Sequence, residues 1–542
     1  MQQSVSLLGL FKNNSFRSLW TANLVSNLGG LIQAVGAGWM MTTISDSQSM
    51  VALVQASTTL PIMLFSLPAG ALADNFKRRN IMLTAQILML LASLGLAIFA
   101  FAGILSPWLL LMFTFSIGCG KALHNPSWQA SMGDIVPRAD LASAVAANSM
   151  GFNLMRSIGP AIGGVVVAMA GAATAFALNA ASYLALIVAL ARWQPRKVAA
   201  SLQREAFGPA ITAGLRYVVM SPNLLKVLFR GFLFSGAAIA VLALLPLVAR
   251  DLLHGNAMTY GVLLGSFGFG AIGGAFASGR LREHLSNEAI VRGAFCAFAL
   301  GAVMLGMSRQ TWLSCAALLL CGACWVITLS LLNATVQLST PRWVVGRAMA
   351  LYQTATFGGM AGGSWLWGTV AQAQDSGSAL AFAGVMLILG ALAGLRLALP
   401  EFGVLNLDPL DKFSEPPLRL DLKSRSGPIM IMVNYDIAQK DVPEFLAAMV
   451  ERRRIRVRDG GQQWTLLRDL ENPDIWTETY HVPTWVEYVR HNQRRTVADD
   501  EVSTKLRGLH QGPGLPLVRR KIERQTVPLH DDMPLKIYPD IQ

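Results

Sequence analysis

Apolar segments of roughly 20–28 residues recur twelve times in the first 400 residues of this chain. A segment of about 20 apolar residues is long enough to cross the hydrocarbon core of a bilayer as an α-helix. In lipid each backbone N–H and C=O must find a partner within the protein, which helices provide. We therefore expect an all-α membrane part. The segments lie near 17–43, 50–73, 81–104, 107–132, 141–169, 172–192, 223–249, 257–280, 289–307, 311–337, 346–371 and 378–399.

Charge placement supports a membrane protein. The chain is 53% hydrophobic and 14% charged, whereas soluble domains are about a quarter charged. Residues 1–399 carry 23 Lys and Arg against nine Asp and Glu, and residues 400–542 carry 21 against 22. A basic excess beside apolar spans is typical of cytoplasmic loops, not of a nucleic-acid site. The expected partners are thus a lipid bilayer and a small-molecule substrate, and no nucleic acid.

The basic loops alternate along the chain, which sets the expected orientation. Loops holding residues 77–79 and 192–204 are rich in Lys and Arg and are expected in the cytoplasm. An even number of spans then places both termini there, in a multi-pass protein of the inner membrane. The predicted organisation is a six-helix bundle at 1–192, a cytoplasmic inter-bundle loop at 193–222, a second six-helix bundle at 223–399, a linker at 400–427, a cytoplasmic domain at 428–525 and a tail at 526–542.

The two halves of the membrane part repeat with an offset of 204 residues. Matching pairs at this one offset are Gly70 with Gly274, Arg78 with Arg282, Pro137 with Pro341, Gly159 with Gly363, and Gly164 with Gly368. A duplicated six-span unit is typical of transporters, because two similar halves can rock about a central site.

A charged motif closes the second span. It reads Gly70-Ala-Leu-Ala-Asp74-Asn-Phe-Lys-Arg78-Arg79 and resembles the G-x-x-x-D-R-x-G-R-R signature of the major facilitator superfamily, with Asn75 and Lys77 as departures. The resemblance implies two pseudosymmetric six-helix bundles. It also implies a conformational latch, in which the carboxylate faces the positively polarised N-terminus of span eleven. The latch residues would be Gly70, Asp74, Arg78, Arg79 and Arg347. Ser278 stands at the repeat position of Asp74, so the second half lacks the charge.

Span five carries a small-residue motif around Pro160. Gly159-Pro160-Ala-Ile-Gly163-Gly164 resembles the G-P-x-x-G-G motif of exporters in the same superfamily. Glycines one helical turn apart permit close helix packing, and span eleven offers Gly359 and Gly363. Stretches at 14–20, 136–144 and 346–353 are similar to the enterobactin-exporter-like subgroup. The resemblance covers about residues 10–400, and it favours export.

Basic and polar side chains within the spans are the candidates for the substrate path. Lys121 and His124 are three residues apart on one helix face, and Arg156 shares a face with Asn153; Gln33 lies in span one. Charged groups at such depth usually face a water-filled cavity or a partner. The alternatives are bonding of Arg156 to carbonyls at the Pro160 kink and, for Arg230, snorkelling to the interface.

Acidic residues are absent from the span interiors, since all nine lie at span ends or in loops. This favours an anionic substrate over a cation, and leaves proton or ion coupling open. Cys321 and Cys324 form a lone CxxC without a second pair, so we expect neither a metal site nor a cofactor.

The C-terminal region alternates strands and helices in the order β-α-β-β-α-β, which predicts a ferredoxin-like α+β domain. It resembles the dimeric α+β barrels of the antibiotic-biosynthesis-monooxygenase type, which implies a homodimer through this domain. Trp464, Trp476, Trp485 and His481 fit a core better than an active site. We expect no enzyme.

Three functions fit these patterns. The first is a secondary active transporter that exports a small anionic, siderophore-like or drug-like molecule by alternating access. The second is a lipid transporter similar to lysophospholipid flippases. The third is a membrane-anchored sensor that signals through its cytoplasmic domain.

Overall fold

A computed structural model describes residues 10–137, 140–194, 207–341, 343–401, 406–410, 413–420, 422–423 and 425–523. Within these ranges the side chains of several helical residues, Asp74 and Asn153 among them, are outside the description. Its contacts define two compact units. The membrane unit holds Met1–Phe207, Leu225–Val336 and Met349–Glu401. The second unit holds Gly208–Leu224, Gln337–Ala348 and Phe402–Gln542.

Long helices follow one another through the membrane part. In the described residues they are α1 Asn14–Ile44, α2 Gln48–Asn75, α3 Arg78–Phe101, α4 Pro107–Ile135, α5 Leu141–Arg192, a short α6 Phe207–Val219, α7 Pro222–Leu247, α8 Ala257–His284, α9 Asn287–Met307, α10 Thr311–Leu338, α11 Val345–Ala373 and α12 Ser376–Ala393. Helix α5 contains the predicted spans five and six. It breaks at Gly171, whose φ of 80° is outside the helical range and suits glycine because there is no Cβ.

Short polar residues begin the helices where the loops end. The side chains of Asn13, Ser47, Ser106 and Asp375 each accept a hydrogen bond from a backbone N–H in the first turn of the helix that follows. These caps satisfy donors that have no partner within the helix.

Eight helical stretches of the described residues are long and apolar enough to cross a membrane. One of them, Ser143–Arg192, covers both spans of α5. Helices α1, α4 and α11 do not meet this criterion. Helix α1 holds Gln33, α4 holds Lys121 and His124, and α11 holds Gly359 and Gly363. The predicted α-helical membrane part is confirmed, and the count of twelve spans stays a prediction.

Arg230 is fully buried in the membrane unit, so the snorkelling expectation is wrong. Its Nη1 lies 3.1 Å from Oε1 of Glu288, and Oε2 of Glu288 accepts from the backbone N–H of Leu399 at 3.0 Å. The guanidinium also stands 5.1 Å from the ring centre of Phe295. The carboxylate, 58 residues away in the chain, makes burial of the charge tolerable.

The C-terminal domain is a four-stranded antiparallel sheet covered by helices. Its elements are β1 Ile429–Asp436, α13 Val442–Asp459, β2 Gln462–Arg468, β3 Ile475–Val482, α14 Trp485–Gln493, α15 Val497–Leu509 and β4 Leu517–Ile522. The strand order is β2-β3-β1-β4. The predicted α+β order is confirmed, with α14 and α15 both preceding the last strand.

Alternation along β1 builds the core of this domain. Ile429, Ile431, Val433 and Tyr435 are buried, whereas the residues between them are half-buried. Phe445 of α13 packs on the same face, with ring centres 5.5 Å from Tyr435 and 5.6 Å from Trp476. Trp476 and Trp485 belong to this core, as the sequence predicted.

A buried carboxylate organises the centre of the domain. Glu478 of β3 is fully buried and lies 3.1 Å from Arg456 and 3.5 Å from Arg452. Trp464 and Tyr435 also donate to it, at 3.1 and 3.3 Å. Burial alone would raise the pKa of Glu478, but Arg456 and Arg452 lower it to about 2.

Glu478→Gln is therefore expected to destabilise the domain by about 3–5 kcal/mol, because it leaves two buried guanidinium groups without their carboxylate. The Glu478 contribution in the wild type is present above its unfolded pKa of about 4.3 and is lost as the pH falls towards 2. The measurement is hydrogen exchange of the β1 and β3 amides in the purified chain.

The matched control is Glu451→Gln, which breaks an exposed pair with Arg454 and should change stability by about 0–1 kcal/mol. Equal protection in the two variants would contradict a central role for Glu478.

Candidate functional site

Unpaired polar atoms gather between α3 and α4 in the membrane unit. His124 is buried; its Nδ1 lies 3.3 Å from Nε2 of Gln86, and its ring stacks on Trp128 at 6.0 Å. Nε2 of His124, Oε1 of Gln86 and Oγ of Ser127 are buried without a hydrogen-bond partner in the described part. Buried polar atoms normally have partners, so such a cluster suits a polar ligand or water.

Lys121 and Arg156 bring positive charge to the same bundle. A Cβ built on Gly30 of α1 would lie 3.6 Å from Nζ of Lys121, which places this ammonium against α1. Both side chains are half-buried. Among the described residues, neither has a hydrogen bond or an ion pair. The Asn153 side chain, predicted on the same face as Arg156, lies outside the described residues.

Gln33 belongs to a different cluster. Its Oε1 accepts from Oγ of Ser93 and Nδ2 of Asn179, and Asn179 also donates to the hydroxyl of Tyr183 at 3.1 Å. All four side chains are buried, and they join α1, α3 and the second span of α5. Ser93, Asn179 and Tyr183 are not among the candidates predicted from the sequence, although a polar residue amid an apolar span was the available signal.

The two glycine motifs hold equivalent positions in the two halves. A Cβ on Gly159 would lie 3.0 Å from Leu31 of α1, and one on Gly163 would lie 3.0 Å from Cα of Ile32. In the second half, Gly359 approaches the carbonyl of Phe232 and Gly363 that of Gly236, both on α7. Thus α5 packs on α1 as α11 packs on α7. Pro160, inside α5, is buried beside these contacts.

The last glycine of each motif instead meets the opposite half. A Cβ on Gly164 would lie 2.7 Å from Cα of Gly261 in α8. A Cβ on Gly368, its repeat equivalent, would lie 2.7 Å from Cβ of Ala52 in α2. The Ser49 hydroxyl also donates to the carbonyl of Gly368 at 3.0 Å. Helix backbones from the two bundles therefore touch where larger residues would separate them.

These contacts lie at one end of the bundles, near loops 45–47, 253–256 and 374–375, which we call the outer end. There the backbone N–H of Gln48 donates to Oε1 of Gln372 at 2.7 Å, and Nη1 of Arg250 donates to the Thr42 carbonyl at 2.7 Å. The two halves are thus joined at the outer end.

The predicted latch residues have other contacts at the opposite end. Nη1 of Arg78 lies 3.0 Å from Asp134 of α4, within the same bundle. Arg79 donates to the carbonyls of Leu190 and Ala191 at 2.9 and 2.6 Å, which satisfies the C-terminal end of α5. A Cβ on Gly70 would meet nothing within 4 Å. The Asp74 side chain lies outside the described residues.

Arg347 lies in the second unit, where its Cβ would stand 2.6 Å from a Cβ on Gly214 of α6. In the same unit the C-terminal domain contacts loop aromatics. Arg458 stands 5.2 Å from the ring centre of Tyr217, and Arg494 stands 4.4 Å from that of Trp343. These cation–π contacts tie α13 and the end of α14 to the segments that precede α7 and α11.

The helical membrane part, the internal repeat and the paired glycine contacts define a multi-pass transporter of the major facilitator type. The comparison with known families agrees. Residues 5–526 match the family described as transmembrane secretion effector, and the chain belongs to that family. The matched residues include the C-terminal domain.

Individual relatives are transporters too. The chain is 28% identical over 399 residues to the enterobactin exporter EntS of Escherichia coli O1:K1, a match that covers 70% of this chain and 93% of the exporter. It is 26% identical over 285 residues to the staphyloferrin A transporter of Staphylococcus aureus strain NCTC 8325, covering 52% of this chain and 70% of that protein. Neither relative is named as an enzyme.

Solved structures show the same fold. A transporter of the POT family in complex with 5-aminolevulinic acid has a TM-score of 0.60 at 12% identity, over 73% of this chain and 98% of that one. A bacterial homologue of the human lysosomal transporter Spinster, in an inward-facing and unoccupied conformation, has a TM-score of 0.54 at 14% identity, over 72% and 95%.

Gly261→Ala should open the outer end, because the new Cβ would lie 2.6 Å from Cα of Gly164 and backbone atoms have little room to retreat. We expect faster labelling of Ser49→Cys by a membrane-impermeant maleimide, in a background whose native cysteines are replaced.

Gly273→Ala on the same helix is the control, since a Cβ there would meet nothing within 4 Å. Equal labelling rates in both variants would refute the role of the Gly164–Gly261 contact.

Proposed function

We propose that this chain is a secondary active exporter of a small, siderophore-like organic anion, working by alternating access. Its relatives include an enterobactin exporter and a staphyloferrin A transporter, which supports a substrate of that class. The observation that carries the choice of an anion is the pair of basic side chains, Lys121 and Arg156, without a counter-charge among the described residues.

The physical argument concerns desolvation. A cation held away from bulk water without a partner is unfavourable, and an arriving anion stabilises it by Coulomb attraction and charge-assisted hydrogen bonds. The unpaired atoms of His124, Gln86 and Ser127 would then orient polar groups of the same substrate. A cationic substrate would meet repulsion in this bundle, since its acidic residues lie at the helix ends.

We infer that the outer-end contacts break when the substrate leaves. Separation of Gly164 from Gly261 and of Gly368 from Ala52 would open the path on that side, while the Asp74 latch with Gly70, Arg78, Arg79 and Arg347 would close the other side. Proton or ion coupling would proceed without a carboxylate in the middle of a span.

The orientation in the membrane belongs to the same proposal. Basic loops place both termini in the cytoplasm and the chain in the inner membrane. The bundles would occupy 1–192 and 223–399, joined by the loop 193–222, and the linker 400–427 would lead to the domain 428–525 and the tail 526–542.

A homodimer through the C-terminal domain is part of this proposal. Leu467 of β2 and Leu517 of β4 are 53% and 52% exposed, on the two edge strands of the sheet. Exposed apolar edges favour pairing with another chain. Light scattering of the purified chain should give the mass of two copies, and a single-copy mass would exclude this dimer.

Transport into inside-out proteoliposomes tests the main proposal. Arg156→Gln should lower the affinity for an anionic catecholate by about 10- to 100-fold, in line with about 1.5–3 kcal/mol for a hydrogen bond to a charged group. Arg156→Lys should retain part of it, because the charge stays and the planar fork is lost. Lys121→Gln should also weaken uptake.

Arg309→Gln, which removes one exposed charge outside the spans, is the control and should leave uptake unchanged. Uptake of a matched cation in preference to the anion would overturn the proposal. Uptake of lysophospholipid alone would favour the lipid transporter, and binding without any uptake would favour the sensor.

A further inference from the structure

A cavity of about 460 Å³ lies inside the C-terminal domain, between the helix-covered face of the sheet and the helices. Its volume falls within the range of about 300–1,000 Å³ that is usual for small-molecule sites. Tyr435 of β1, Tyr480 of β3 and Val518 of β4 form its floor. Residues of α13, α14 and α15 form its walls.

Cations predominate in the lining. Five arginines face the cavity, together with one carboxylate, that of Asp500; the arginines are Arg452, Arg456, Arg495, Arg507 and Arg520. Glu478 forms ion pairs with Arg452 and Arg456. Asp500 forms ion pairs with Arg507 at 2.9 Å and with Arg495 at 3.4 Å. Two carboxylates therefore face five guanidinium groups in the described part of the domain.

Two of these arginines can still bind an anion. Nε of Arg495 is buried without a hydrogen-bond partner, and burial together with Arg456 and Arg452 lowers the pKa of Arg495 to about 10, so it stays charged at neutral pH. Arg520 donates to the hydroxyl of Tyr488 at 2.6 Å, and the described residues show no carboxylate beside it.

Apolar surface accompanies the charge. Ile431 and Val433 line the cavity from β1, and Leu410 and Phe413 line it from the segment that joins span twelve to the domain. That segment is attached to the cavity wall, because the N–H of Leu410 donates to the carbonyl of Arg495 at 3.0 Å. The ring centre of Phe413 also lies 6.0 Å from that of Tyr488.

We propose that this cavity binds an organic anion, in which a carboxylate or phosphate group is carried on an aromatic or apolar body. The anionic group meets Arg495 and Arg520, and the body packs against Tyr480, Val518 and Phe413. Occupation holds the joining segment against the domain, so the site reports on a cytoplasmic anion at the point where the domain connects to the membrane part. This site is separate from the proposed transport path and does not depend on it.

Calorimetric titration of the purified full-length chain tests the site with four naphthalene probes. The probes 2-naphthoate and 2-naphthyl phosphate carry a negative charge, 2-naphthylmethanol is neutral, and 2-naphthylmethylammonium is positive. We expect at least one anion to bind at least tenfold more tightly than the alcohol, and the ammonium not to bind. Comparison of the two anions distinguishes carboxylate from phosphate recognition.

Two neighbouring arginines of β4, Arg519 and Arg520, provide a test variant and its matched control. Arg520 pairs in register with the buried Ile431, and Arg519 pairs with Met432, so their side chains point to opposite faces of the sheet. Arg520→Gln and Arg495→Gln should weaken anion binding at least tenfold, whereas Arg519→Gln should leave it unchanged. Arg495→Gln leaves Asp500 paired with Arg507, which protects the fold. Val518→Trp should block binding by volume alone.

Hydrogen exchange at residues 406–410 should slow when the anion binds to the wild type. The proposal is overturned if neither anion binds, or if the alcohol binds as tightly as the anions. It is also overturned if anion affinity survives in Arg495→Gln and Arg520→Gln, which would place the binding elsewhere in the chain. Retention of binding in Val518→Trp overturns it even if the arginine variants fail to fold.

Discussion

Backbone contact between glycines of opposite bundles is the constraint on which the membrane part depends. Gly164 touches Gly261 with no room for a Cβ, and Gly368 approaches Ala52 in the same way. Because lipid provides no hydrophobic force between helices, such contacts act through close van der Waals packing. Beside them, Trp39 of α1 stacks on Tyr260 of α8 with ring centres 6.5 Å apart, and hydrogen bonds at Gln48, Ser49 and Arg250 also join the two halves. All of these noncovalent contacts have to separate together when this end opens. An interface of this kind suits two halves that must part and meet again.

Basic side chains of this chain fall into three groups, which differ in how far carboxylates neutralise them. Arg230 is buried against Glu288, and Arg452 and Arg456 share Glu478; these cations are neutralised and serve the fold. Lys121 and Arg156 have no such partner in the described membrane unit, which makes them suitable for a substrate that brings its own negative charge. The arginines around the C-terminal cavity lie between these cases, because the described residues there provide two carboxylates for five arginines.

Much of the fold follows from local patterns in the sequence. Apolar segments of spanning length predict the long helices, the 204-residue repeat predicts the paired Gly159 and Gly363 contacts, and the β-α-β-β-α-β order predicts the antiparallel sheet. Contacts between residues that are distant in the sequence could not be predicted from local patterns. Glu288 lies 58 residues from Arg230, and no periodicity links them, so the expected snorkelling of Arg230 was wrong. The cavity is lined by residues of three strands and three helices. It therefore becomes visible only once these elements have been packed together.

In the proposed mechanism the outer end opens and closes during each transport cycle. Gln48→Cys with Gln372→Cys, in a background without the native cysteines, places a pair where α2 and α11 already touch. A short methanethiosulfonate cross-link between them should stop transport in proteoliposomes, and reduction should restore it, while either single variant is unaffected by the reagent. Full transport by the cross-linked protein would show that the outer-end contacts do not need to separate, and it would contradict the proposed opening of this end.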